Sequence, residues 1–143
     1  MIYMLRVPQK SIPSTISLFH HFNNIFHSGV STDEIVEKSL FMADQCFDAI
    51  IKPGMMDSNP SFVIIQFEEF IKNPLAAVTD IYNRFRYEIS NELKIRLNFY
   101  CQMHSEFVSG HVYSPEKYGL TRSLIYNRYK RIYELFYSSE ESS

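Results

Sequence analysis

The run Phe62-Val63-Ile64-Ile65-Gln66-Phe67 constrains this chain more than any other stretch. It is short, continuous and β-branched, the pattern of a strand buried on both faces, and residues 55–61 before it have the Asp, Ser, Asn and Pro content of a loop. A strand buried on both sides needs neighbours. The other strand-like run is the opening Met1-Ile2-Tyr3-Met4-Leu5-Arg6, and almost everything else has a helical period. Two short core strands among five or so helices do not make an independent parallel sheet, because parallel pairs need crossovers and cover on both faces. The expectation is therefore an α/β protein, mostly helical, that forms the latter part of a larger domain whose earlier strands lie upstream of Met1. Residues 1–137 read as one such part and the Ser/Glu-rich 138–143 as a flexible tail.

The helices announce themselves by caps and stripes. Ile12, Ile16, Phe19, Phe22 and Phe26 recur at three and four, predicting a helix to about His27 that Gly29 ends. Ser31 and Glu34 have capping-box spacing, and Ile35, Met42, Ala43, Cys46, Phe47 and Ile50 carry the next helix to Pro53-Gly54. Asn73-Pro74 is a cap followed by proline at the first helical position, opening a helix with Leu75, Val78, Ile81, Tyr82 and Phe85. A further helix over about 90–105 places Leu93, Leu97, Tyr100, Cys101 and His104 inward. Ser114-Pro115 starts a single turn that Gly119 closes, and Thr121 caps one last helix bearing Ile125, Tyr129, Ile132, Tyr133 and Phe136.

Several function classes recede on composition. A formal net charge of −2 argues against nucleic acid as a partner, since a duplex binder needs a concentrated cationic face. Arg122, Arg128, Lys130 and Arg131 read as solvated cations on a helix whose interleaved tyrosines pack inward. Two cysteines, Cys46 and Cys101, are too few for a disulfide scaffold or a four-thiolate site and fit a reducing, cytoplasmic setting. No metal is expected at His20, His21 and His27, because adjacent helical side chains diverge by about 100° and no Cys or carboxylate stands at ligand spacing. The apolar opening is too short for a signal peptide or a membrane span.

Three ordered stretches carry a resemblance. Leu5-Arg6-Val7-Pro8 leads into Ile12-Pro13-Ser14-Thr15-Ile16-Ser17-Leu18, placing Ser14 eight residues after Arg6. Phe67-Glu68-Glu69-Phe70-Ile71-Lys72-Asn73-Pro74 leads into a helix with Ile81-Tyr82, and His111-Val112-Tyr113-Ser114-Pro115-Glu116-Lys117-Tyr118-Gly119-Leu120 follows. In this order they resemble the strand–Arg-Asp-Pro–helix, Tyr-Glu-Asp-Leu and closing His-x-Tyr-Ser…Gly-Leu segments of the sulfotransferase family, in particular its sulfotransferase-3-type group, and they span nearly the whole chain.

The resemblance implies a P-loop-like α/β fold, here only partial, that transfers a sulfuryl group from 3′-phosphoadenosine 5′-phosphosulfate (PAPS) to a hydroxyl or amine of an acceptor not identified by these residues. It implies cofactor-binding roles for Arg6 and Ser14 at the nucleotide's 3′-phosphate and for Phe67 beside the adenine. The chemistry agrees: a strand end feeding a helix start offers backbone N–H groups, arginine a bidentate fork and serine a neutral donor. His111 reads as packing its loop, with a place on the nucleotide or acceptor side as the alternative. Val7 stands where the family has Asp, and Phe67 where it has Tyr, which keeps stacking and loses a hydroxyl contact. The family's glycine-rich loop for the 5′-phosphosulfate and its catalytic base have no counterpart, so no catalytic residue is assigned and turnover by this chain alone is not expected. An alternative of another class is a non-catalytic helical interaction module, self-associating through apolar surface that missing sheet neighbours would leave exposed.

Overall fold

The computed structural model describes residues 1–27, 29–52, 62–104 and 114–137. Their order is β1 (Ile2–Leu5), α1 (Pro8–Phe26), α2 (Thr32–Ile51), β2 (Val63–Gln66), α3 (Phe67–Lys72), α4 (Pro74–Arg84), α5 (Asn91–His104), a 3₁₀ turn (Pro115–Tyr118), α6 (Arg122–Arg128) and α7 (Lys130–Phe136). They form two compact units, one of 1–5 with 53–111 and one of 6–52 with 112–143. None of the described helices is long and apolar enough to cross a membrane.

In the first unit β1 and β2 pair in parallel, Ile2 opposite Val63 through Leu5 opposite Gln66, and Val63 N–H donates to Met1 O at 3.0 Å. The expectation of a strand buried on both faces is corrected. All four β2 residues are only half-buried, and Ile2 and Met4 are exposed, because two strands among the described residues provide one shared edge and little cover. Phe62, just before β2, is buried, and its carbonyl accepts from Arg84 Nη2 at 3.3 Å, tying the end of α4 to the strand. Asn73 caps α4 as expected, its side chain accepting from Ala76 N–H at 3.1 Å with Pro74 next in line. Tyr100, expected inward on α5, is exposed together with Ile95, Phe99 and Met103, while Leu93, Leu97 and Cys101 are half-buried.

The second unit holds most of the core: Val7, Ile12, Ile16, Ile35, Phe47, Ile50, Leu120, Ile125, Tyr129, Ile132 and Tyr133 are all buried. α1 continues through Pro13, which lacks the N–H that would reach back to Gln9, and it ends where His27 turns left-handed at φ 47°. Asn23 then clamps the turn, donating to Val30 O at 2.8 Å and accepting from Val30 N–H at 3.1 Å. Ser31 caps α2 by accepting from Glu34 N–H at 3.2 Å. The apolar stripes of both helices overreach the core, since Phe22, Phe26, Met42 and Cys46 are exposed. The single last helix expected after Thr121 is two: Tyr129 leaves helical geometry at φ −110°, ψ 23°.

That departure coincides with the tightest polar cluster of the unit. Arg128 Nε and Nη2 donate to the two oxygens of Asp44 on α2 at 3.0 and 2.5 Å, and Tyr129 Oη donates to Asp44 Oδ1 at 2.9 Å. The hydrogen bond from Arg128 holds the Asp44 carboxyl below its ordinary value, with the Tyr129 hydroxyl adding to it against a partial loss of hydration. Burial, then the same carboxylate, pushes the Tyr129 phenol well above its usual range.

Asp44→Asn is expected to cost about 1 kcal/mol at pH 7, a figure already reduced for the solvent around Arg128. Since Asp44 is more acidic in the folded chain, the unfolded chain takes up its proton first as pH falls. The stabilisation is therefore complete above the ordinary value of 3.8 and is lost as pH drops through the lower folded value. Urea unfolding of both proteins checks this: the gap should be constant above about pH 5 and close in stronger acid.

Candidate functional site

Arg6 lies between β1 and Val7, the residue that precedes α1. Its side chain is half-buried, with Nε shielded from solvent. Ser14 is half-buried on α1, roughly 9 Å along the axis from Pro8 at 1.5 Å per residue. Arg6 and Ser14 belong to the same compact unit and Phe67 to the other. Phe67 is the first residue of α3 and not the end of a strand, a boundary that its apolar character hides in the sequence.

The first turn of α1 differs from the expected cradle of free amides. Pro8 has no N–H, Gln9 N–H donates to Tyr133 Oη at 3.2 Å and Lys10 N–H to Val7 O at 2.9 Å, while Ser11 N–H makes the first regular bond of the helix, to Val7 O at 3.0 Å. Helix α1 still presents the positive end of its dipole there, but an anion would be gripped by side chains and not by these amides. One such side chain was not singled out from the sequence. The Ser11 hydroxyl is buried and has no hydrogen-bond partner among the described residues. It lies one turn before Ser14, three residues apart on one helix face, and that spacing was its only signal in the sequence.

The third stretch of the resemblance is described from Ser114 onward; His111 lies outside the described residues. Pro115 and Leu120 are buried, and Gly119 takes φ 70°, a left-handed turn that suits glycine. The Ser114 hydroxyl donates to Glu116 Oε2, and this bond foremost holds the Glu116 carboxyl below its usual value. Tyr118 stacks on His20 of α1 with ring centres 5.7 Å apart, and His20 Nε2 meets Thr32 Oγ1 at 3.0 Å. This stretch therefore braces α1 and α2, which carries the histidine on α1 into packing. Among the exposed cations expected on the last helix, Arg128 is not merely solvated, for it is committed to Asp44.

Among solved structures, the fold is similar to that of the sulfotransferase STF9 from Mycobacterium avium, with a TM-score of 0.79 and 16% sequence identity. The likeness covers 94% of this chain and 35% of that one, so the chain spans about a third of its structural neighbour's length. The two strands and the helices thus form part of a sulfotransferase-like α/β fold. No family model matches the sequence, and no curated protein matches it.

Tyr133→Phe removes the acceptor from Gln9 N–H without changing the ring. It should destabilise the chain by about 1 kcal/mol in urea unfolding while leaving the helix content unchanged by circular dichroism.

Proposed function

We propose that this chain carries the 3′-nucleotide side of a sulfotransferase-type site, binding the adenosine 3′,5′-bisphosphate part of PAPS. The observation that carries the reading is the joint occurrence of a sulfotransferase-like fold and of Arg6 and Ser14, eight residues apart, on one compact unit at the start of α1. In this reading Arg6 supplies charge and a planar fork for the 3′-phosphate, and Ser14 a neutral hydroxyl donor. Ser11 supplies a second hydroxyl from the adjacent turn. With the first-turn amides committed, these side chains take the larger share of the work.

PAPS supplies an activated sulfuryl group when bound; what this chain contributes is a hold on the nucleotide. Sulfuryl transfer also requires charge stabilisation at the bridging oxygen and a base for the acceptor, and no residue of this sequence is assigned to either. The proposed activity of the chain by itself is therefore nucleotide binding without turnover.

Calorimetric titration with 3′,5′-bisphosphoadenosine tests this directly. Arg6→Ala should weaken binding by roughly ten- to a hundred-fold, as for loss of a charged hydrogen bond, and Ser14→Ala by about five-fold. A folded chain that shows no heat of binding, or variants that bind as tightly as the parent, would overturn the reading in favour of a non-catalytic interaction module.

A further inference from the structure

The outward face of α2 is a repeating stripe. Asp33, Glu37, Leu40 with Phe41, Asp44 and Asp48 follow one another at three- and four-residue steps. Asp33, Val36, Glu37, Leu40, Phe41 and Asp44, with Arg128 opposite, line a groove of about 430 Å³. Phe41 in this groove is 62% exposed, a large apolar side chain among carboxylates.

Beyond Arg128 runs a second stripe of opposite character. Leu124, Arg128, Arg131 and Leu135 recur at steps of four, three and four along α6 and α7. Across the break at Tyr129 the chain keeps i to i−4 bonds on either side, Tyr129 N–H donating to Ile125 O at 3.1 Å and Tyr133 N–H to Tyr129 O at 3.3 Å. Leu124 and Leu135 are 44% and 49% exposed.

An acidic, apolar stripe and a basic, apolar stripe therefore lie side by side in one compact unit, meeting at the Asp44–Arg128 pair. Within the chain that pair neutralises itself. Glu37 remains on one side and Arg131 on the other, each exposed and each beside an exposed apolar residue. A patch whose halves complement one another meets the requirement of a two-fold interface, in which residue i contacts j of the partner and j contacts i in return. We propose that two copies of this chain pair through this surface. The two-fold axis passes beside the Asp44–Arg128 pair, Glu37 of each copy faces the partner copy's basic stripe at Arg131, and Phe41 is covered by the partner's leucines. Asp33 and Asp48 lie at the wet rim, where unpaired charge costs little.

A foreign basic helix would also match the acidic groove, but it would leave the basic stripe beside it uncovered. A second copy covers both at once. This inference does not rest on the nucleotide reading, since no residue named in it belongs to that site.

Sedimentation equilibrium over a concentration series tests it with Glu37→Arg and Arg131→Glu, both exposed positions whose folding circular dichroism can confirm. The parent should dimerise, and each variant alone should do so roughly tenfold or more weakly, because like charges then face each other twice. An equimolar mixture of the two variants should regain the parent affinity, since both contacts become opposite in sign again. A parent that stays monomeric overturns the proposal. So does a dimer indifferent to both variants, or a mixture no tighter than either variant alone.

Discussion

Two buried tyrosines set the arrangement of the larger core. Tyr129 and Tyr133 stand four residues apart and both rings are inside, Tyr129 edge-on to Phe47 with centres 4.9 Å apart. A buried phenol retains its polar hydroxyl, and leaving it unbonded costs about 1–3 kcal/mol. The two hydroxyls are satisfied on different helices. Tyr129 reaches Asp44 and the Leu40 carbonyl on α2, whereas Tyr133 accepts from Gln9 at the start of α1. The C-terminal segment is thereby registered against both long helices at once, more specifically than apolar contact alone would manage, since hydrophobic burial is not directional.

The same hydrogen bonds shape what the start of α1 can recognise. A helix N-terminus attracts anions through its dipole and through amides that have no intrahelical partner. Here one of those amides is consumed by Tyr133, one by Val7 O, and one position is a proline. What stability gains, anion binding by backbone loses.

Local signals were legible wherever one side chain decides the backbone beside it. Ser31, Asn73 and Thr121 each cap the helix they precede, accepting from an N–H three residues on, and Gly119 closes its turn in the left-handed region that its position demanded. The misses share a different physics. Tyr129 sits in a stretch with an unbroken helical stripe, and its departure accompanies a hydrogen bond to Asp44, 85 residues away. Gln9 N–H is taken by a residue 124 positions distant, which no reading of the helix start could supply. Phe67 is apolar and follows a strand without punctuation, so its change to helix left no mark. For the candidate site, Arg6 and Ser14 were visible as a spacing, while Ser11 became notable only once its hydroxyl was found buried without a partner.

Among the described residues burial is unevenly shared between the two units. In the first unit only Leu5 and Phe62 among the described hydrophobic residues are fully buried, whereas the second unit buries eleven, from Val7 to Tyr133. At about 1.5–3 kcal/mol for each large side chain withdrawn from water, the described residues of the second unit contribute far the greater apolar stabilisation. Arg6 and Ser14 therefore stand on the well-packed part of the chain, where a charged fork and a hydroxyl can be held in place before a ligand arrives. A group that recognises by directional hydrogen bonds gains most from being held in place in advance, because a small displacement weakens such bonds steeply.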